Sequence, residues 1–268
     1  MPSQHCHSPK QDTSWQQVSP WYHKLVGSDG HFYHEHVVIL GVLRLLELQP
    51  DSSLLDLGCG QGILAKKIPP IARYLGLDSA AALIREAQAQ VKTPNYTFVT
   101  KDATKLIPET KADFSHAAII LALQNMREPQ AAVQNAANHL TAGGKFVIVL
   151  NHPCFRIPRQ SGWGIDEKTK LQHRWINRYA SAMEIPITMH PGQKDSAVTW
   201  SFHHSLHDYS TMLVAAGFCI TALEEWTSPK ESVGSAAKME NRARSEFPLF
   251  LTIVAEKKTQ APAFSHST

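Results

Sequence analysis

The chain has 268 residues and 43% of them are hydrophobic, so it can bury a substantial core. Charged residues make up 18% and the formal net charge is +3, which argues against a nucleic-acid partner bound through a basic surface. No apolar run reaches the roughly 18 residues that a membrane span needs. The four cysteines form no C-x-x-C pair and suit a reducing compartment. We therefore expect a cytoplasmic protein with no membrane segment.

Strands and helices alternate along most of the chain. The predicted strands cover residues 54–57, 74–77, 97–100, 114–121, 145–150, 219–226 and 249–256. The predicted helices cover residues 37–48, 63–68, 80–91, 129–140 and 208–216, and Asp78 and Ser79 are expected to cap the third of them. This alternation predicts a doubly wound α/β fold with a mostly parallel, seven-stranded sheet.

The alternation is interrupted once, over residues 151–206, where prolines, tryptophans and histidines follow no helical period. We interpret this segment as a cap inserted after strand five, with an antiparallel ribbon formed by residues 185–189 and 197–203. The polar linker 228–248 is expected to be mobile.

Domain boundaries follow from composition. Residues 1–14 and 259–268 are rich in Ser, Gln, Thr, Pro and His and are expected to be disordered tails. Residues 15–258 are predicted to form one domain that includes the cap.

A glycine-rich loop lies directly after the first strand and directly before a helix. Its pattern is Asp56-x-Gly58-x-Gly60-x-Gly62. Glycines let a backbone turn tightly and approach a ligand, and the helix that follows offers free N–H groups. A nicotinamide dehydrogenase has G-x-G-x-x-G, which would need glycine where Ile63 stands, so the spacing disfavours a nicotinamide oxidoreductase.

Two further acids follow the next two strands. Asp78 lies 22 positions after Asp56, where a carboxylate can accept hydrogen bonds from ribose hydroxyls. Asp102 and Ala103 follow the third strand and suit recognition of an adenine amino group. Parallel strands end at one edge of the sheet, so the three acids are predicted to line one crevice.

These motifs together resemble those of class I (Rossmann-like) methyltransferases that use S-adenosylmethionine, in particular a small-molecule-type bacterial branch. Residues 54–62 resemble motif I, and residues 76–79 and 101–103 resemble the next two motifs. Residues 140–146 resemble the L-x-P-G-G turn before strand five, with Ala142 in place of the usual proline.

The resemblance implies a set of residues that bind S-adenosylmethionine. It places Gly58 and Gly60 under the methionine part, Asp56 at its amino end, Asp78 on the ribose and Asp102 at the adenine. It also implies that residues 118–121 border the sulfonium. The full set is Asp56, Gly58, Cys59, Gly60, Asp78, Ser79, Asp102 and Ala103.

The acceptor side is expected in residues 21–36 and in the cap, which we predict to close over the acceptor as a lid. His152, just after strand five, is the candidate base or acceptor-orienting group, although a hydrogen bond within the cap would explain it equally well. The candidate acceptor-binding residues are Tyr22, His34, Arg156 and Arg159. The arginines could grip a carboxylate or a phosphate, although a surface ion pair is the commoner role of an arginine.

Several alternatives stay open at this point. The histidines form no H-E-x-x-H and no ligand-like pair with cysteine, so no metal is expected. The Asn/Asp/Ser-Pro-Pro-Tyr/Phe motif of base and glutamine methylases is missing after strand four, which favours a small-molecule methyl acceptor. The rival hypotheses are an RNA or protein methyltransferase and a cofactor-binding protein without transferase activity. The sequence leaves the acceptor and the oligomeric state open.

Overall fold

The structure is a computed structural model that describes residues 31–107, 113–188 and 198–259. The strands in these ranges are β1 (Ser53–Leu57), β2 (Arg73–Asp78), β3 (Tyr96–Thr100), β4 (Phe114–Ile120), β5 (Leu140–Asn151), β6 (Ser161–Asp166), β7 (Leu171–Ile176), β8 (Met183–Thr188), β9 (Val198–His203), β10 (Phe218–Trp226) and β11 (Phe250–Lys257). The helices are α1 (Ile39–Leu46), α2 (Ile63–Lys67), α3 (Ala81–Gln90), α4 (Pro129–His139), α5 (Leu206–Ala215) and α6 (Ala237–Glu246). A π-helical turn, His34–Val38, leads into α1.

One seven-stranded sheet runs in the order β3-β2-β1-β4-β5-β11-β10. The five strands from β3 to β5 are parallel, and β11 is antiparallel to both of its neighbours. The predicted doubly wound, mostly parallel sheet is therefore confirmed. The strand order reverses between β1 and β4, and such a switch point opens a crevice at the carboxyl ends of the strands.

Both faces of the sheet are covered, which explains why its central strands are mostly apolar. Along β5, Phe146, Ile148 and Leu150 point into one hydrophobic layer, and Val147 and Val149 point into the other. The helices divide between these layers. Buried residues of α4 and α5 belong to the first layer, and those of α1, α2 and α3 belong to the second.

The inserted segment contains two antiparallel hairpins. β8 pairs with β9 where the sequence predicts a ribbon, although residues 189–197 of that ribbon lie outside the described residues. β6 pairs with β7, and the sequence does not predict this hairpin. Most residues of β6 and β7 are partly or fully exposed, so neither strand shows a clear apolar alternation.

One expectation about local structure is wrong, and one helix was not expected. Asp78 and Ser79 do not occupy the cap position of α3, because its N-cap is Ala80 and no side chain caps it. The linker 228–248, which was expected to be mobile, contains the helix α6, which the sequence does not predict. This helix is polar and buries mainly Ala243 while it packs against β7, so its sequence shows little of an apolar stripe.

Two further sequence expectations concern the ends of the chain and the membrane. Residues 1–14 and 260–268, which make up nearly all of the two tails, lie outside the described residues. Within the described ranges, no helix has both the length and the apolar character that would let it cross a membrane.

The helix after the cap, α5, starts with a capping box. The Ser205 hydroxyl accepts a hydrogen bond from the Asp208 amide, and the Asp208 carboxylate accepts one from the Ser205 amide at 2.8 Å. We predict that Ser205→Ala lowers the free energy of unfolding by about 0.5–2 kcal/mol, because a helix-terminal N–H loses its partner. Urea unfolding measures the change. Ser210→Ala, inside the same helix, is the control and should leave stability within about 0.5 kcal/mol of the native chain. Equal stability of the Ser205 variant and the native chain would show that the capping box is dispensable.

Candidate functional site

The glycine loop after β1 is held by β2 and by the segment that follows β4. The amides of Gly58 and Cys59 both donate to the Leu77 carbonyl, at 2.7 and 3.0 Å. Gly58 has a φ of +79°, and a Cβ built on it would lie 2.5 Å from the Cβ of Ala122. A side chain at this position would therefore be both strained and in collision, so the loop needs glycine here.

Gly60 is held from the next strand but is open on its other side. Its amide donates to Asp78 Oδ2 at 2.9 Å, while the Ala80 amide donates to Asp78 Oδ1 at 2.8 Å. Gly60 has a φ of +55°, and a Cβ built on it would meet nothing within 4 Å. The open space over Gly60 is where a ligand could approach the backbone.

Asp56 lies beneath this loop with one carboxylate oxygen unsatisfied. Its side chain is almost fully buried, and Tyr74 donates to its Oδ2 at 2.6 Å. Its Oδ1 is buried and has no hydrogen-bond partner. Burial raises the pKa of Asp56 to about 7, the Tyr74 hydrogen bond opposes the shift, and the nearby Asp78 carboxylate adds to it. A buried acceptor without a partner is costly, and it marks a place for a ligand donor.

A small cavity of about 40 Å³ lies between the glycine loop and the side chain of Asp56. Asp56, Gly58, Cys59, Gly60 and His34 are among the residues that line it. Burial and the neighbouring His31 lower the pKa of His34 to about 4, so its imidazole is neutral near pH 7. The structure therefore brings four predicted cofactor residues together with one residue predicted for the acceptor.

The end of β4 closes the same cavity. Ile120 lines it, and Leu121 follows with a φ of +54°, which is unusual for a residue with a side chain. The Leu121 amide donates to the Val149 carbonyl at 2.8 Å, and the Gln124 side chain donates to the Leu121 carbonyl at 2.8 Å. These bonds hold a strained backbone at a residue that the motif resemblance places at the border of the sulfonium.

A second, larger cavity of about 420 Å³ lies between the cap and the segment before α1. Four aromatic residues and two arginines are among its lining residues: Tyr33, Phe155, Trp163, Phe247, Arg156 and Arg174. Tyr33 precedes His34 in the chain, so one turn contributes to both cavities. Asn151, the last residue of β5, also lines the larger cavity, which therefore opens at the carboxyl edge of the sheet.

His152 lines neither of these two cavities. Its side chain is buried, its Nε2 lies 2.7 Å from Glu225 Oε1, and its Nδ1 accepts from the Cys154 amide at 3.2 Å. Burial lowers the pKa of His152 more than the Glu225 carboxylate raises it. A neutral imidazole that donates from Nε2 and accepts at Nδ1 satisfies both contacts, so neither ring nitrogen is left for an acceptor proton.

The other predicted cofactor residues lie at the same edge but outside both cavities. The Lys101 amide donates to the Asp78 carbonyl at 2.9 Å, which places the start of the Asp102 turn beside β2. Asp102 is exposed and its Oδ1 accepts from the Thr104 amide at 2.8 Å. Ala103 is buried and Ser79 is exposed.

Two of the predicted acceptor-binding residues, Arg159 and Tyr22, are not among the described residues that line the larger cavity. Arg159 is exposed and does not line the larger cavity. Tyr22 lies outside the described residues. Within the described ranges, no cluster of three or more His, Cys, Asp or Glu side chains could hold a metal ion.

The sequence patterns did not indicate Arg174 or Phe247 as site residues, and for Trp163 they favoured packing within the cap over a place in an aromatic pocket. Trp163 and Arg174 face each other across the β6–β7 hairpin, and the Arg174 guanidinium lies 4.8 Å from the centre of the Trp163 ring. Phe247 packs edge-on against Trp163, with ring centres 5.5 Å apart. These contacts depend on a hairpin register and on the position of α6, neither of which a local sequence pattern reveals.

A family model described as a methyltransferase domain matches residues 54–144. That range begins in β1, contains the whole glycine loop and ends within β5. Over these residues the chain is similar to a methyltransferase domain. The match covers both carboxylates, Asp56 and Asp78, and the strained end of β4.

Two curated relatives are trans-aconitate 2-methyltransferases. The one from Enterobacter sp. (strain 638) is 37% identical over 79 residues, which are 28% of this chain and 31% of the relative. The one from Deinococcus radiodurans is 33% identical over 114 residues, which are 40% of this chain and 42% of the relative. The chain thus matches only about a third to two fifths of the length of its curated relatives.

The likeness to solved structures extends over most of the chain. The S-adenosylmethionine-dependent methyltransferase from Mesorhizobium loti superposes with a TM-score of 0.66 at 23% identity. The superposition covers 83% of this chain and 99% of the other. It shows that the two proteins share a fold, including parts of the sheet beyond residue 144.

The two loop glycines should respond differently to an added methyl group. We predict that Gly58→Ala lowers the free energy of unfolding by about 1–3 kcal/mol, because its Cβ would collide with Ala122. Gly60→Ala should cost only about 1 kcal/mol, the penalty of its left-handed backbone, but it should weaken binding of S-adenosylhomocysteine.

Thermal unfolding and calorimetry measure these two effects. Ala122→Gly is the matched control and should restore part of the stability of Gly58→Ala. If Gly60→Ala binds S-adenosylhomocysteine as the native loop does, the space over Gly60 is not where the cofactor lies.

The raised pKa of Asp56 predicts a pH dependence of cofactor binding. Between the ordinary pKa of 3.8 and about 7, the ligand-free protein holds a proton that the unfolded chain has lost, so this group's contribution to stability is lost as pH rises through about 7. An ammonium group binds the ionised carboxylate, so affinity for S-adenosylhomocysteine should rise on the order of tenfold from pH 5.5 to 7.5.

Asp56→Asn should bind S-adenosylhomocysteine more weakly and with little pH dependence. Calorimetric titrations at matched pH values compare the two proteins. If the variant keeps the full pH dependence of the native chain, another group is responsible for it.

Proposed function

We propose that this chain is an S-adenosylmethionine-dependent methyltransferase that acts on a small molecule by direct, in-line methyl transfer. One observation carries the proposal. Asp56 Oδ1 is buried without a partner at the cavity that Gly58 and Gly60 also line, and the backbone over Gly60 is open. We propose one catalytic domain over residues 15–258, with residues 151–206 as its cap.

The residues at this edge fit the cofactor's chemistry. S-adenosylmethionine carries an ammonium group that matches the unsatisfied carboxylate of Asp56, and ribose hydroxyls that match the second lone pairs of Asp78. Gly58, Cys59 and Gly60 would lie under the methionine part. Ser79, Asp102 and Ala103 are proposed for the ribose and adenine side on the strength of the motif resemblance alone. When bound, the cofactor supplies a sulfonium methyl group that passes to a nucleophilic atom of the acceptor.

The chain itself would mainly position the acceptor and exclude water. Alignment of donor and acceptor can account for much of a displacement reaction's rate. The aromatic walls of the larger cavity keep water away from a reacting centre that loses charge. His34 in the turn before α1, and Tyr22 in the segment that precedes the described residues, remain proposed contacts on this side.

We propose that His152 is a positioning residue and not a base. Both of its ring nitrogens are engaged, as described above, and its ring lies 4.7 Å from that of Phe155, which lines the larger cavity. The Arg156 amide donates to the His152 carbonyl at 2.8 Å. His152 would therefore hold the segment that carries Phe155 and Arg156 against Glu225. Arg159 stays a candidate for the rim of the acceptor site.

The names of two relatives give a first acceptor to try. Trans-aconitate is a small carboxylic acid, and the larger cavity has a volume in the usual range for small-molecule sites.

We also propose that the protein works in the cytoplasm, because its described cysteines are all free thiols.

The experiment has a binding part and a turnover part. Calorimetry should detect S-adenosylmethionine and S-adenosylhomocysteine but not NAD, and Asp78→Ala should weaken cofactor binding by about 1–3 kcal/mol because the ribose loses a charged partner. Incubation with methyl-labelled cofactor and a panel of small acids that includes trans-aconitate tests transfer.

Two controls separate the alternatives. Ser210→Ala, far from the loop in the sequence and inside α5, should leave cofactor affinity unchanged. Tight NAD binding without a response to the sulfonium ligands would disprove the cofactor assignment. Cofactor binding with methyl transfer only to RNA or protein would disprove the small-molecule acceptor.

A further inference from the structure

The larger cavity contains two arginines whose charges have no acidic partner in the described part of the chain. Arg44, Arg73, Arg127 and Arg244 all pair with carboxylates, but within the described ranges no ion pair involves Arg156 or Arg174. In the described residues, Arg85, Arg159, Arg178 and Arg242 also form no ion pair, and all four are exposed. Arg156 and Arg174 differ from these four because both line the larger cavity.

Neutral oxygens satisfy only part of these two guanidinium groups. Arg156 Nη1 donates to Asn151 Oδ1 at 2.8 Å and to the Leu249 carbonyl at 3.4 Å. Arg174 Nη2 donates to the Phe155 carbonyl and to Ser161 Oγ. Arg174 Nε is buried and has no hydrogen-bond partner. A buried, charged donor without an acceptor is costly unless a ligand supplies one.

The two positive charges also act on each other. Desolvation lowers the pKa of Arg156, Tyr33 opposes this shift, and the charge of Arg174 adds to it. Arginine nevertheless stays protonated, so two like charges face one cavity. An anion would relieve both the repulsion and the missing hydrogen bonds, and guanidinium groups match the geometry of carboxylate and phosphate oxygens.

Aromatic rings surround the charged end of the cavity. The Arg174 guanidinium lies over Trp163, and Phe155 and Phe247 line the same space as Tyr33. Such walls suit a flat or apolar body attached to the anionic group. Tyr33 and His34 are consecutive, so the cavity lies next to the one that contains Asp56 and the glycine loop.

We infer that Arg156 and Arg174 bind an oxoanion of the methyl acceptor, a carboxylate or a phosphate, while the aromatic walls hold an unsaturated or apolar body. The inference rests on the proposed function for the statement that this ligand is the acceptor. It assigns Arg174, Trp163 and Phe247 to a site, and it gives Arg156 a defined partner in that site.

The test uses pairs of probes that differ in charge. The full-length protein saturated with S-adenosylhomocysteine is titrated with cinnamate and cinnamamide, and with phenyl phosphate and phenol. We expect the anion of at least one pair to bind about tenfold or more tightly than its neutral analogue, and the pair that shows this identifies carboxylate or phosphate. The preference should shrink as chloride is raised, because the contact is ionic.

Arginine variants connect that preference to the cavity. Arg156→Met and Arg174→Met keep a long side chain, and each should reduce anion affinity about tenfold while the neutral probe changes less than threefold. Arg178→Met is the matched control, since Arg178 is an exposed arginine of the same insertion that does not line the cavity. Affinity for S-adenosylhomocysteine should be the same in all three variants, within threefold.

The possible failures are distinguishable. If both anions bind no better than their neutral analogues while S-adenosylhomocysteine binds normally, the anion site is disproved and the proposed function stands. If anions bind in an Arg156- and Arg174-dependent way but S-adenosylhomocysteine does not bind, the cofactor assignment fails. Because Arg174 also holds the Phe155 carbonyl, Arg174→Met could unfold the hairpin, and in that case Arg156→Met and the chloride dependence of the native protein decide the question.

Discussion

The close approach of three chain segments at Gly58 determines the arrangement of the whole site. The loop after β1 can lie between the end of β2 and Ala122 only because Gly58 has no side chain and tolerates a left-handed backbone. Its amide and that of Cys59 share the Leu77 carbonyl, which ties the loop to β2. This contact places Gly60 within hydrogen-bond distance of Asp78 and encloses Asp56 beneath the loop.

The enclosure of Asp56 has an energetic consequence. A carboxylate in this position loses its hydration, and Tyr74 replaces only one of the lost contacts. The nearby Asp78 carboxylate makes the region more negative, and burial raises its pKa as well. Without a ligand, the buried carboxylates of Asp56 and Asp78 are therefore poorly stabilised, and a bound cation would stabilise them.

The larger cavity shows the opposite polarity, because its two arginines have no acidic partners and suit an anion. The two cavities adjoin at Tyr33 and His34, so a cationic donor and an anionic acceptor would be bound on either side of one turn.

The sheet topology explains why the acidic cavity at Asp56 and the basic cavity at Arg156 and Arg174 lie next to each other. Each strand from β1 to β5 ends at the same edge, and the cap leaves the sheet at the end of β5. His152 lies at that exit, where Glu225 of β10 holds its ring. The cap is thus attached to β10, the edge strand of the sheet. Trp163 and Arg174 of its first hairpin line a cavity together with Asn151 at the end of β5. A ligand site is expected at such an edge in any open α/β sheet, but the insertion determines which ligand fits.

The sequence by itself determined the α/β class, the seven strands of the sheet and the loop residues from Asp56 to Gly60. Each of these depends on local order: apolar strands buried on both faces, helical periods and glycines at a turn. The position of Asp78 could be predicted too, because strand ends in a parallel sheet share one edge. Tertiary structure alone decided that Trp163, Arg174 and Phe247 surround one cavity, since this depends on the register of the β6–β7 hairpin and on the packing of α6. It also decided that His152 is turned towards Glu225, because a sequence pattern shows that a histidine follows a strand but not which buried partner occupies its ring nitrogens.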